Sequence, residues 1–258
     1  MINFSKTGRL FYGVSITAMG FQTIYFDDFP YMLIPAKRSG IPGIHIIAYI
    51  FGALLLWAGA CIVFEKKIRT ASEILGALLL LIFCFYFIPY QFLATDKYMI
   101  FGAWENAAKE LTLAGGAFVI AHQYSSNNEM SSIKFLSKLT PYGVAIYSIT
   151  IISYSIDHFL YAKEATGYLP SWIPFPLFWI YFAGIALLAA GVAILINVKR
   201  KLAATLLGAM IFSWIIILHI PKSIANPLEG PWWRSYQLVF SACLLWHFFE
   251  HCPYLSKA

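Results

Sequence analysis

The chain has 258 residues, of which 60% are apolar, 18% aromatic and 12% charged, with a net charge of +6. Charged residues approach a quarter of an ordinary soluble domain, so this balance, with a mean hydropathy of +0.71, excludes a water-soluble globule and predicts a protein embedded in lipid. Strand-type alternation is absent, which leaves helices to satisfy the backbone inside a bilayer, and the basic residues are spread along loops, which argues against nucleic acid as a partner.

Apolar stretches of about the 20 residues that span a bilayer as a helix fall at 8–26, 44–64, 70–91, 103–122, 141–160, 174–196, 202–220 and 231–250. The expected fold is therefore all-α, a polytopic bundle of eight transmembrane helices. The first span closes on Asp27 and Asp28, and a loop with Pro30, Pro35 and Pro42 follows. The second carries Gly52 and Gly59 and turns through the basic EKKIRT segment into the third. The fourth opens with Glu105, Asn106, Lys109 and Glu110, where Glu105 and Lys109 are spaced to pair on one helix face. Asp27 or Asp28 reaching Lys109 is the alternative closure of this half. A polar stretch rich in Ser and Asn, 123–140, reads as a cytoplasmic linker. The fifth span closes on Asp157 and His158, and its loop holds Pro170, Trp172, Pro174 and Pro176. The sixth carries Tyr181, Gly184 and Gly191, the seventh ends at His219, and the eighth opens with Arg234 and Gln237. Glycines within spans predict close helix contacts, because helices in lipid associate through small residues.

Sorting Lys and Arg by side places eleven with the chain termini and seven opposite, so both termini are expected in the cytoplasm of an inner-membrane protein. The first apolar stretch lacks a small-residue cleavage pattern and reads as a real span. Cys61, Cys84, Cys243 and Cys252 form no CxxC pair, so neither a disulfide framework nor a thiol centre is indicated.

The chain is written twice. At an offset of 130, Tyr12-Gly13-Val14, Ile16, Asp27 and Phe29 meet Tyr142-Gly143-Val144, Ile146, Asp157 and Phe159. At 132, Ile41-Pro42, Tyr49, Gly52, Gly59, Lys67, Gly76 and Ile88-Pro89 meet Ile173-Pro174, Tyr181, Gly184, Gly191, Lys199, Gly208 and Ile220-Pro221. This predicts two four-helix repeats, 1–122 and 141–258, joined by 123–140. With four spans each, the repeats enter the membrane in the same direction and are parallel rather than inverted.

Ionisable groups inside an apolar frame are costly and are functional candidates by default. At the outer level of the second half stand Asp157, His158, His219 and Arg234, where His158 replaces Asp28 and His219 replaces Phe87. Such a group can bind an anion, hold a metal, or relay protons to a bound redox ligand; the plainer reading has the imidazoles bonded to loop carbonyls at the helix ends. Glu110, a turn deeper in the first half, is costly there unless paired or protonated. His45 stands alone, and His247 and His251 near the end of the last span read as interfacial side chains. Phosphate-cradling, dinucleotide-binding, zincin and nucleophile-elbow motifs are absent.

The second-half run SIDHF (155–159), WIPFP (172–176), YFAGIALLAAG (181–191), KLAATLLGAM (201–210) and LHIP (218–221), with WENAAKELTLAGGAFVIA (104–121) in the first half, resembles the DoxX-like family of small four-helix membrane proteins. That family takes its name from a membrane component of thiosulfate:quinone oxidoreductase. The resemblance implies His158, His219 and Asp157 as catalytic positions. Arg234, Trp172 and Tyr181 are added from the residues themselves as ligand-binding. The expected function is a membrane subunit or accessory factor of a quinone-linked redox process, with quinone as cofactor, the bilayer as surroundings and a redox protein as partner. The competing expectation is a non-enzymatic carrier or assembly protein.

Overall fold

The computed structural model describes residues 4–30, 33–34, 43–95, 97–126 and 134–221, and among these every regular element is helical. In chain order they are α1 (Phe4–Tyr25), α2 (Ile44–Val63), α3 (Ile68–Ile82), α4 (Glu105–Gln123), α5 (Gly143–Leu160), the short α6 (Ala162–Ala165), α7 (Pro176–Leu195) and α8 (Arg200–Trp214). α3 runs on through π-helical turns at Phe83–Phe87 and Tyr90–Ala94, and α8 through one at Ile215–His219. Among the described residues five stretches are long and apolar enough to cross a membrane: Ile44–Val63, Ile68–Ala94, Leu136–Leu160, Pro176–Leu195 and Arg200–His219; α1, at the expected first span, has the length but not the hydropathy. α4 has the length but not the composition, since Glu105, Lys109, Glu110 and His122 stand among its 19 residues. The expected eighth span, 231–250, lies outside the described residues.

The glycines explain how α1 and α2 meet. A Cβ on Gly20 would lie 2.6 Å from the Leu56 nitrogen and 2.7 Å from the Gly52 carbonyl oxygen, so only hydrogen fits between these backbones. In lipid, where burial gives helices little drive to associate, such contact supplies the packing energy. α4 and α5 join the same way. A Cβ on Gly143 would meet the Val119 nitrogen at 2.7 Å, and the Thr112 hydroxyl donates to the Thr150 hydroxyl at 3.0 Å. One core gathers side chains of α1 to α4 and another those of α5, α7 and α8, with Val144 and Tyr154 packed against both.

Backbone detail recurs at an offset of 132 residues. α2 and α7 share it at both ends, as do α3 and α8 and the π-turns Phe83–Phe87 and Ile215–His219. Left-handed residues recur too: Gly43 with Phe175, Glu65 with Asn197, and Lys67 with Lys199. The turn bonds Phe64 N to Ala60 O and Lys66 N to Cys61 O have counterparts in Ile196 N to Val192 O and Val198 N to Ala193 O.

Two ionic expectations meet different partners. Lys109 pairs with Glu105 at 2.6 Å, the i, i+4 option, rather than with Asp27 or Asp28. His45, expected to stand alone, contacts Asp27 through Nδ1 at 2.6 Å, because the start of α2 lies beside the residues that close α1. At the opposite level the buried Arg9 donates to the carbonyls of Ile62 and Val63 and pairs with Glu65, capping the carboxyl end of α2.

Candidate functional site

A cavity of about 1100 Å³ opens between α4, α5, α7 and α8. Its walls are mainly aromatic and aliphatic, with Tyr154, Tyr161, Tyr168, Trp172, Trp179, Phe182 and Trp214 among them, and its charged groups are Lys97, Glu105, Lys109, Asp157 and Glu164. Along α5 the lining runs from His158 back to Ile151, seven residues or about 10 Å of helix, so an outer polar end grades into an apolar floor. A large apolar pocket with a few convergent polar groups is the form that small-molecule sites take.

Of the expected residues, Asp157, His158, Trp172 and His219 line this cavity. Tyr181 is not in the wall; its ring stacks on Phe159 at 6.1 Å on an exposed face. Arg234 lies outside the described residues. His158 is held firmly. Its Nδ1 is 2.7 Å from the Tyr154 carbonyl oxygen, its ring stacks on Trp214 at 6.0 Å, and Gly184 passes close to its Cβ. A carbonyl only accepts, so Nδ1 carries the proton and the Nε2 of the neutral ring is an acceptor. Asp157 has a buried Oδ1 with no hydrogen-bond partner. Lys109 in the same wall is already held by Glu105 and lies 3.5 Å from the Asn106 side-chain oxygen. The polar end therefore offers acceptors that await a donor. Among the described residues no three His, Cys, Asp or Glu side chains converge as a metal site.

Two features escaped the sequence reading. First, Glu105 and Lys109, assigned to the first half, share one wall with Asp157 and His158, because α4 packs along α5 and brings its outer end to theirs. A further bond from the Gly102 N–H to the Tyr161 hydroxyl at 3.0 Å pins that corner. Second, two positions in the cavity wall have bulky, buried counterparts in the first half. At the 132 offset Phe51 corresponds to Ala183 and Phe87 to His219. Phe51 and Phe87 are buried, and Phe51 packs with Phe29 at 5.5 Å beside the buried Leu33. In the second half Ala183 and His219 line the cavity, and Phe159 is 40% exposed. The aligned pair Phe51 and Ala183 was the available signal.

A family model described as a domain of unknown function, DUF8561, matches residues 148–238, a stretch that includes all six expected site residues. No curated protein and no solved structure matches the chain.

Proposed function

We propose that the chain is a DoxX-like inner-membrane protein of two parallel four-helix units, eight spans in all, with both termini in the cytoplasm. In this reading it serves as a membrane subunit or accessory factor of a quinone-linked redox process. The duplicated architecture is supported by the 132-residue recurrence of helix bounds, π-turns and left-handed positions. The functional reading is carried by one observation: a cavity of about 1100 Å³ whose aromatic walls end in His158, Asp157 and His219. The matched family has no assigned activity, so the redox reading rests on this cavity and on the resemblance.

The residues fit such a ligand. Trp172, Trp214, His158 and the unpartnered Asp157 Oδ1 would hold its polar head, and Ala183, Leu187 and Ile211 its apolar tail. A bound quinone would supply two-electron chemistry. His158 takes a proton on Nε2 and keeps its orientation through the Tyr154 carbonyl. Asp157 accepts a second hydrogen bond, and the Glu105–Lys109 pair holds the outer wall.

The test is binding of a short-tailed quinone and its quinol to the purified chain, His158→Ala and His219→Ala. Saturable binding that both changes weaken supports the reading. Saturable binding untouched by either change removes the histidines from it, and no binding returns the carrier or assembly reading to first place.

A further inference from the structure

Glu110 lies in the second turn of α4, is completely buried, and has no hydrogen-bond partner at either carboxylate oxygen. It is not part of the cavity. Glu105 and Lys109 face that wall, whereas Glu110 is turned about 100° further round the helix onto the face of Leu113, Ala114 and Ala117, which belong to the core of α1 to α4.

Among the described residues, the groups around that core offer no counter-charge. Lys109, next along the helix, is held by Glu105 at 2.6 Å. From α1, Tyr12 donates its hydroxyl to the Leu113 carbonyl at 2.7 Å, and the side-chain oxygen of Gln22 is buried without a donor. From the turn after α3, the Gln91 amide donates to the Ala103 carbonyl at 2.5 Å. On α5, Asp157 and Tyr154 line the cavity, and Tyr154, which also packs against this core, makes no hydrogen bond to Glu110. An ionised carboxylate with neither a cation nor a donor in an apolar interior costs far more than the neutral acid. Packing does not explain the residue either. At the offset of 128 that aligns Gly102 and Trp104 with Gly230 and Trp232, Leu238 corresponds to Glu110, so the repeated sequence does not demand a carboxyl there.

We propose that Glu110 is a proton-binding site inside the first helix unit, separate from the cavity, where a neutral carboxylic acid stands ready to react with apolar carbodiimides. The residue takes up and releases its proton within the lipid-embedded core. Its chemistry with dicyclohexylcarbodiimide is an addition: the acid proton passes to a diimide nitrogen, and the carboxyl oxygen bonds to the central carbon. The O-acylisourea then rearranges to a stable N-acylurea, and nothing leaves.

The experiment treats the full chain in detergent with dicyclohexylcarbodiimide at neutral pH and maps the adduct by mass spectrometry. The proposal expects an adduct on Glu110 that decreases as pH is raised, disappears in Glu110→Gln, and is scarcely formed by a water-soluble carbodiimide. The thermal midpoint of Glu110→Gln should equal or exceed that of the native chain. No adduct at Glu110, equal labelling by the water-soluble reagent, or a midpoint lower by several degrees would overturn it. The last result would mark a structural, ionised carboxylate. A variant that fails to fold counts with the lowered midpoint against the proposal, and the adduct on the native chain and its pH dependence are read without the variant.

Discussion

Ala183→Phe places in the second half the side chain that position 51 carries in the first. The cavity it would enter measures about 1100 Å³, at or above the upper end of ordinary ligand pockets, so an added phenyl ring has room without strain. Overpacking a filled interior costs about 1–3 kcal/mol. The free protein should escape that cost, and its thermal midpoint in detergent should hold or rise. A bound ligand sharing the space would bear the cost instead, which is about 5- to 150-fold weaker binding. Trp172, Trp179 and Trp214 line the cavity, so quenching of intrinsic fluorescence by a short-tailed quinone reads occupancy directly. Native-strength binding to a stable Ala183→Phe protein would refute the assignment of this cavity as the ligand site. A chain that no longer folds would refute the claim that the space is open.

Gly20→Ala should destabilise the α1–α2 contact by about 1–3 kcal/mol, because its Cβ would meet backbone atoms at 2.6 and 2.7 Å, and denaturant unfolding in micelles would show it. Phe175→Gly should be neutral to stabilising by about 1.5 kcal/mol: relief of a left-handed non-glycine residue is worth about 1–2 kcal/mol, offset by about 0.5–1 kcal/mol of glycine backbone entropy. Its partner position already holds Gly43, and a lower thermal midpoint would contradict the reasoning. Arg9→Leu should cost about 1–3 kcal/mol by leaving the α2 carbonyls of Ile62 and Val63 without their buried donor, measured by the same unfolding assay.

Five of the eight expected spans were legible because hydropathy follows apolar composition, and α2, α3, α5, α7 and α8 fall where those apolar stretches do, while α1 and α4 are helices without the composition of a span. The facing of those helices was not. Lipid-facing and core-facing residues are both apolar in a membrane bundle, so periodicity does not say which way Tyr181 points. It stacks on Phe159 outside the cavity rather than lining it. The seam between α4 and α5 was equally hidden: sorting polar residues by half separated Glu105 and Lys109 from Asp157 and His158, while Gly115 and Gly143 bring those helices into backbone contact. The Asp27–His45 pair depends on a connection whose path no local pattern fixes. His158 and His219 were found because an imidazole replacing Asp28 or Phe87 is a chemical difference. Ala183 was missed because an alanine in an apolar helix attracts no attention until its bulky counterpart is set beside it.

The most direct measurement is to purify the full chain in mild detergent and identify what travels with it, by mass spectrometry of extracted small molecules together with an optical spectrum. The account predicts a stoichiometric quinone that falls in His158→Ala and in Ala183→Phe. A protein carrying bulk lipid alone, unchanged by either substitution, would contradict it.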